Sequence, residues 1–253
     1  MMEIMKVQLK PFFSRQIWLL IIICLLVGIG EGQISELSEE LFVLEMMTGH
    51  HYIMYFMIPI FFLFLYRTIK QQSNIVLIRQ SHFWRNFLAQ VSAMFIQSFI
   101  FVMVQLLLFA VVAISLRPVN LVEQLSLTEH EVIILLNDYF ATPMVAIIVV
   151  TLFMIIGFFS VSIAMLVVHH FFTERTMLIV LISLFIVMLL GYKVPALQPF
   201  VEIPLLFINN HIVFHHNLWY TGKLLVTASS TLILYVAIFV VIKYYWQSKW
   251  LRQ

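Results

Sequence analysis

The sequence predicts an all-α, polytopic membrane protein with six transmembrane helices, both termini in the cytoplasm and an interfacial N-terminal helix. Of its 253 residues, 63% are hydrophobic and only 10% are charged, whereas soluble domains average about 45–50% apolar and about 25% charged residues. Six apolar stretches approach the roughly 20 residues that a spanning helix needs. The charges between these stretches alternate in sign. We therefore expect one transmembrane domain, 1–253, and no large soluble domain.

The composition excludes several classes of protein. A soluble globular domain, a disordered chain and a basic nucleic-acid binder do not fit so many apolar residues and a formal net charge of +2. The single cysteine, Cys24, excludes an internal disulfide framework and a cysteine-based zinc site.

The six predicted spans differ in length, and the third and fourth are long enough to tilt or to extend beyond the bilayer. No small-x-small cleavage site follows the first apolar run, so we expect an uncleaved first span. Met1–Ser14 mixes apolar and basic residues and predicts an interfacial helix. The predicted spans are Gln16–Gly30, Tyr52–Tyr66, Phe87–Leu116, Ala141–Val168, Thr176–Tyr192 and Lys223–Tyr245.

The distribution of charge predicts the orientation. Segment 31–51 carries five glutamates and no Lys or Arg, whereas segment 67–86 carries four basic residues and no acid. With both termini inside, 11 of the 14 basic residues are cytoplasmic and 10 of the 12 acidic residues are external. This arrangement satisfies the positive-inside rule. The acidic outer surface has two interpretations. It attracts cationic peptides, or it is the ordinary counterpart of a topology that keeps basic residues inside.

Motifs for catalysis and ion coupling are incomplete in this sequence. No ionisable residue lies in the centre of any predicted span, which argues against a proton- or ion-coupled transporter. Gly222-Lys223 lacks a glycine five residues earlier, so no Walker A motif is present, and His130-Glu131 lacks the second histidine of HExxH. We expect no enzymatic activity in this chain.

Two features resemble CAAX-type intramembrane proteases, which use EExxxR and FxxxH motifs. Glu39-Glu40 has no following Arg, and the predicted topology places both it and the Phe207-xxx-His211 pair in external loops. If His211, His215 and His216 lie on a helix, two of their three imidazoles share one face, as the ligands of a metal ion would. We expect an interfacial loop cluster rather than a metal site.

Polar and aromatic residues in spans two and three predict a substrate path at a dimer interface. A 3.6-residue period puts the aromatic residues of span two on one face. Ordinary interhelical packing with glutamine hydrogen bonds is the alternative for each residue, and Gly28-xxx-Gly32 is a weak dimerisation motif. The residues of the predicted path are Tyr52, Tyr55, Phe62, Gln90, Gln97 and Gln105.

The loop between spans two and three is basic and unusually apolar. Ile75, Ile78, Arg79 and His82 follow a helical period, which predicts a short helix along the membrane face. Such a helix lies on lipid headgroups or docks in a groove of a partner protein.

This layout resembles the membrane subunit of ABC-2-type exporters, in particular the small permeases of bacterial peptide, bacteriocin and toxin exporters. The resemblance covers the whole chain in its layout: an interfacial N-terminal helix, six spans, a cytoplasmic helix at Gln71–Arg85 and a proline-rich external segment at Val194–Trp219. No short sequence motif carries it.

The resemblance implies a role for each of these two segments. Gln71–Arg85 matches a coupling helix seated in an ATPase, with a shorter contact at 173–175, and Val194–Trp219 matches a re-entrant external gate. The implied ATPase-coupling residues are Gln72, Asn74, Ile75, Ile78, Arg79, His82, Arg85, Thr173, Glu174 and Arg175, and the implied gate residues are Pro195, Pro199, Pro204, Asn209 and Asn210.

The resemblance also implies a function and partners. The chain is expected to be a permease in the bacterial plasma membrane that exports a hydrophobic or amphipathic peptide or toxin. A separate ABC ATPase subunit would bind ATP and Mg²⁺, so this chain would hold no cofactor. Further expected partners are a second permease copy or paralogue and membrane lipid, and no nucleic acid. A non-transporting immunity or accessory protein is the alternative, and an intramembrane metalloprotease is the third hypothesis.

Overall fold

The computed structural model describes residues 17–34, 37–75, 83–116, 131–172, 174–194 and 209–216, together with 218, 236–238, 240–241 and 244. Every regular element in these ranges is helical. Helix α3 is continuous through His50–Tyr52, a π-helical turn at Ile53–Met57 and Ile58–Ile75. The other helices are α1 (Ile17–Ile34), α2 (Glu39–Thr48), α4 (Phe83–Leu116), α5 (Glu131–Tyr139), α6 (Pro143–Phe171), α7 (Glu174–Lys193), α8 (Asn209–Ile212) and α9 (Phe214–His216).

Four helices are long and apolar enough to cross a membrane, and they correspond to the second to fifth predicted spans. Their spanning parts are His50–Lys70, Phe87–Leu116, Pro143–His169 and Glu174–Gly191. The first predicted span is a helix whose apolar part, Ile17–Gln33, is shorter than these four. Most of the sixth predicted span and all of Met1–Ser14 lie outside the described residues.

Helix α1 packs along α4, and the two helices run in the same direction. A Cβ added to Gly28 would lie 3.2 Å from the ring of Phe109, and one added to Gly32 would lie 3.0 Å from Leu116. The two glycines therefore let the two helices approach closely. Gly28-xxx-Gly32, which the sequence indicates only as a weak dimerisation motif, thus packs inside the chain.

An aromatic cluster joins α3, α4 and α6 in the middle of the bundle. The ring of Phe61 lies 5.1 Å from that of Phe101 and 4.3 Å from that of Phe158, centroid to centroid. All three side chains are fully buried. Aromatic pairs at these spacings stabilise a core beyond the area they bury, so this cluster fixes the relative height of the three helices.

The bundle has two distinct ends. At one, which we name the Glu174 end, the spanning part of α3 ends at Lys70 and α7 begins at Glu174. At the other, named the Pro143 end, α4 finishes at Leu116 and α6 begins at Pro143. Thr142 caps α6 by accepting a hydrogen bond from the Val145 amide, 3.4 Å away, and Pro143 occupies the first helical position.

Helix α2 lies inside the bundle, although the sequence predicts an external loop at 31–51. It packs between α4 and α6, and Leu41, Phe42, Leu44 and Met47 are all buried. Glu39 and Glu40 occupy its first turn, where negative charge complements the helix dipole. The five glutamates of segment 31–51 predict an external position, but the apolar residues of α2 determine where this helix packs.

Candidate functional site

The short helices α8 and α9 pack against the middle of α6. Gly157 allows this contact, because a Cβ at that position would overlap the His211 carbonyl oxygen and lie 2.8 Å from its carbon. It would also lie 2.9 Å from the Ile212 Cα. Real Cβ atoms do not approach other atoms so closely, so only glycine lets the two backbones meet here.

The contact at Gly157 lies near the midpoint of a spanning helix. The spanning part of α6 is Pro143–His169, so Gly157 is 14 residues from its start and 12 from its end. At about 1.5 Å per residue, this is about 21 Å from Pro143. At such depth, irregular backbone must be surrounded by protein, because lipid cannot form hydrogen bonds with its N–H and C=O groups. Here α6 is part of the surrounding protein.

The α8–α9 segment then turns back towards the Pro143 end. The ring of Phe214 lies 5.6 Å from that of Phe140 and 6.4 Å from that of Tyr139, beside the start of α6. It also lies 5.5 Å from Phe153 on α6 itself. The described part of the predicted external segment therefore contacts α6 both at its middle and near its start, and its re-entrant path stays a prediction. Its prolines Pro195, Pro199 and Pro204 lie outside the described residues.

This segment buries four polar side chains, which we name the polar cluster: Asn210, His211, His215 and His216. His215 and His216 are each 1% exposed, and the ring of His216 lies 6.2 Å from that of His50 at the start of α3. The prediction of an interfacial loop cluster is wrong, because these imidazoles pack between helices. The bundle interior thus contains ionisable groups, although the spanning helices have none at their centres.

The polar cluster does not form a metal site in the described part of the chain. No three His, Cys, Asp or Glu side chains there come close enough together to hold one ion. The ring centroids of His215 and His216 are 4.9 Å apart but nearly perpendicular. A zinc site needs at least three converging protein ligands.

A second buried polar group joins α1, α3 and α4. Tyr52 donates a hydrogen bond from its hydroxyl to the Gln105 carboxamide oxygen, and the Cys24 thiol lies 3.2 Å from the same hydroxyl. The Gln105 amide nitrogen donates to the Phe101 carbonyl at 2.9 Å. Since Tyr52 already donates to Gln105, the Cys24 thiol is the donor to Tyr52. These bonds tie three helices together away from solvent.

The predicted aromatic face of span two is interrupted: Phe62 and Tyr66 line one hollow, but the residues before the π-helical turn do not continue that face. Tyr52 is buried, whereas Tyr55 is 47% exposed. The π-helical turn at Ile53–Met57 separates them, and such a turn breaks the 3.6-residue period. Pro59 gives a reason for it, because in a regular α-helix its ring would clash with the carbonyl of Tyr55.

Of the six residues of the predicted substrate path, only Phe62 lines either of two cavities formed by the described residues, and the predicted dimer interface stays a prediction. Gln90, Gln97 and Gln105 are all buried in α4. Phe62 lines a small hollow of about 220 Å³ between α3 and α7. The Gln97 carboxamide has no hydrogen-bond partner among the described residues. Interhelical packing, the alternative interpretation, describes Tyr52 and Gln105 better.

A larger cavity lies elsewhere, between α2, α4 and α6, and we name it the α2–α4–α6 groove. It has a volume of about 530 Å³, within the range of ligand pockets, roughly 300–1,000 Å³. Its walls run from Phe99 to Ile114 on α4 and from Met144 to Ile155 on α6. Among the described residues that line it, Glu39 and Glu40 contribute the only charged side chains. The sequence did not predict this groove: the spacing of Leu37, Leu41 and Leu44 predicted a helix in 31–51, but in an external loop and not packed between α4 and α6.

At the Glu174 end, one carboxylate links α3 to α7. Glu174 lies 2.6 Å from the Lys70 ammonium and accepts a hydrogen bond from the Tyr66 hydroxyl, also at 2.6 Å. Each partner is partly exposed. Lys70 directly precedes the predicted coupling segment 71–85, and Glu174 belongs to the second predicted contact. The structure therefore places the start of one predicted coupling segment against part of the other.

The predicted coupling helix is not a separate helix at its described ends. Residues 71–75 continue α3 to Ile75, and residues 83–85 begin α4 at Phe83. Both flanking helices thus extend beyond their predicted apolar limits, and only 76–82 remain between them, outside the described residues. Of the predicted coupling residues, Ile78, Arg79, His82 and Thr173 fall outside the described residues, and the side chains of Gln72, Asn74, Ile75 and Arg85 do too.

Sequence signals existed for some of the missed features. A glycine in the centre of a long apolar helix, as at Gly157, indicates close approach of another backbone. The regular spacing of Leu41 and Leu44 indicated a helix with an apolar face. No family model, curated protein or solved structure matches this chain.

Proposed function

We propose that this chain is the membrane-spanning permease subunit of an ATP-driven exporter for hydrophobic or amphipathic substrates, with ATP hydrolysis in a separate subunit. The observation that carries the proposal is the contact between Lys70 and Glu174. It joins the end of α3, where the basic 67–86 loop begins, to the start of α7. A partner that binds this end would act on both helices together.

The proposed orientation follows from charge. The Glu174 end carries the basic 67–86 segment, which the positive-inside rule assigns to the cytoplasm. The Pro143 end would then face outward, and the α8–α9 segment would enter the bundle from that side. Movement of α3 and α7 by a cytoplasmic ATPase would reach the polar cluster through His50, which lies on α3 beside His216.

An experiment on the Lys70–Glu174 pair tests the proposal. The neighbouring coding sequence is searched for a Walker A ATPase, this ATPase is co-expressed with the chain, and the complex and its ATPase activity are measured. We expect Glu174→Lys to uncouple ATPase activity from substrate without unfolding the chain, because the pair is partly exposed. The double variant Lys70→Glu/Glu174→Lys is expected to restore coupling.

Glu131→Lys is the matched control, since it makes the same charge change at an exposed site on α5. Full coupling in Glu174→Lys would contradict the proposed contact. The lack of any neighbouring ATPase gene, or a chain that never associates with that ATPase, would favour the immunity or accessory protein.

A further inference from the structure

We propose that the α2–α4–α6 groove binds a single-chain cationic amphiphile, with its aliphatic chain along α4 and α6 and its ammonium group beside Glu39 and Glu40. This site does not rest on the proposed ATP-driven export, because it lies among described residues of this chain alone.

The groove is long, narrow and apolar. Its α4 wall extends over 16 residues, from Phe99 to Ile114, and its α6 wall over 12 residues, from Met144 to Ile155. At about 1.5 Å per residue these walls are roughly 22 and 16 Å long. One leaflet of the hydrocarbon core is about 15 Å thick. The groove therefore matches one extended aliphatic chain.

The two carboxylates lie at the Pro143 end of this groove. Phe42, one turn after Glu39, lies 3.6 Å from a Cβ built on Gly32, which itself meets Leu116 at the last turn of α4. The first turn of α2 is thus level with the end of the α4 wall and with Met144 at the start of the α6 wall. An ammonium group fits this position, and a phosphate or sulfate there would be repelled.

The groove is open along one side. Leu107, Ile148 and Leu152 line it and are each more than half exposed, whereas Val43, Ala113 and Ile147 on the same groove are buried. In a membrane the open side faces lipid, so an amphiphile reaches the groove laterally from one leaflet. Phosphatidylethanolamine fits less well, because it has two chains and a phosphate between them and the amine.

The test uses the full chain in phosphatidylcholine nanodiscs and photoreactive probes with the same aliphatic chain. One probe ends in a trimethylammonium group, one in a sulfate and one in a hydroxyl. We expect the ammonium probe to label the groove walls at about tenfold lower concentration than the sulfate probe, which corresponds to about 1.4 kcal/mol between opposite and like charge. Excess phosphatidylethanolamine is not expected to compete.

Two variants locate the site. The double variant Glu39→Gln/Glu40→Gln should abolish the preference for the ammonium probe, and Ala113→Trp, which fills the groove, should prevent labelling by all three. Glu45→Gln is the matched control on the same helix, because Glu45 does not line the groove. Protection of the buried Cys24 thiol from maleimide verifies that each variant is folded.

Three results would overturn the proposal. The first is equal labelling by ammonium and sulfate probes. The second is a preference that survives the double glutamine variant. The third is no labelling of the groove in the unaltered chain, which would mean that another part of this chain, such as 223–245, or a second copy covers it.

Discussion

Gly157 and His211 meet backbone to backbone at the middle of α6. A Cβ on Gly157 would overlap the His211 carbonyl oxygen and lie 2.8 Å from its carbon. This contact places α8 about halfway along a spanning helix and brings the polar cluster into the bundle. A single missing side chain therefore determines how deep the 209–216 segment can lie.

Gly157→Ala is expected to destabilise the protein. The methyl group must push α8 away from α6, and overpacking of this kind costs about 1–3 kcal/mol. Thermal unfolding in detergent measures the change. Gly30→Ala is the matched control, because nothing lies within 4 Å of a Cβ there and alanine favours a helix over glycine by about 0.5–1 kcal/mol. A Gly157→Ala variant as stable as Gly30→Ala would contradict the contact.

Tyr52→Phe is expected to loosen the contact of α1 with α3 and α4. It removes the hydroxyl that bonds Gln105 and Cys24, and interhelical hydrogen bonds of this kind contribute about 0.6–2 kcal/mol. Cys24 is the only cysteine and is buried, so its rate of maleimide labelling reports opening. We expect faster labelling in Tyr52→Phe. The same change at the exposed Tyr55 should leave the rate unaltered, and equal rates in both variants would argue against the bond network.

Gly28→Ile is expected to lower stability without changing the oligomeric state. The larger side chain would meet the Phe109 ring, which is already 3.2 Å from a Cβ at this position, at a cost of about 1–3 kcal/mol. Light scattering of the purified protein, with Gly30→Ile as the control, measures the oligomer. Loss of a dimer in Gly28→Ile alone would show that the glycine ridge contacts a second copy after all.

The polar cluster is expected to bind no stoichiometric zinc. Three converging ligands are absent among the described residues, and a structural or catalytic zinc site needs three or four. Elemental analysis of protein purified without chelators, before and after addition of zinc, measures this. One zinc per chain that disappears in His215→Ala would revive the intramembrane metalloprotease hypothesis.

Hydropathy and length predicted the second to fifth spans to within a few residues, because burial in lipid requires a continuous apolar helix. The same criterion could not predict α8 and α9. The stretch Asn209–His216 is short and rich in Asn and His. Its depth depends on the absence of a side chain at Gly157 of α6. Charge patterning likewise assigned 31–51 to a loop, although the apolar residues of α2 pack it between α4 and α6.

The candidate site was predicted less completely than the fold. The resemblance implied Glu174 as a coupling residue, but nothing in the sequence predicted its contact with Lys70, because that pairing depends on how α3 and α7 pack. The prediction of one aromatic face on span two does not hold across Ile53–Met57, because a π-helical turn there changes the helical period. The groove could not be predicted from any one helix, since three elements form it.

The energy source for transport tests the central claim most directly. The chain is reconstituted in phosphatidylcholine vesicles with an ATPase that co-purifies with it. Uptake of a fluorescent cationic amphipathic peptide is measured with ATP, without ATP, and with the proton gradient collapsed by an ionophore. We predict that peptide flux requires both ATP and the ATPase and continues after the proton gradient collapses. Flux by this chain alone, driven by a proton gradient and lost in His211→Ala, would contradict it and assign the buried imidazoles to proton coupling.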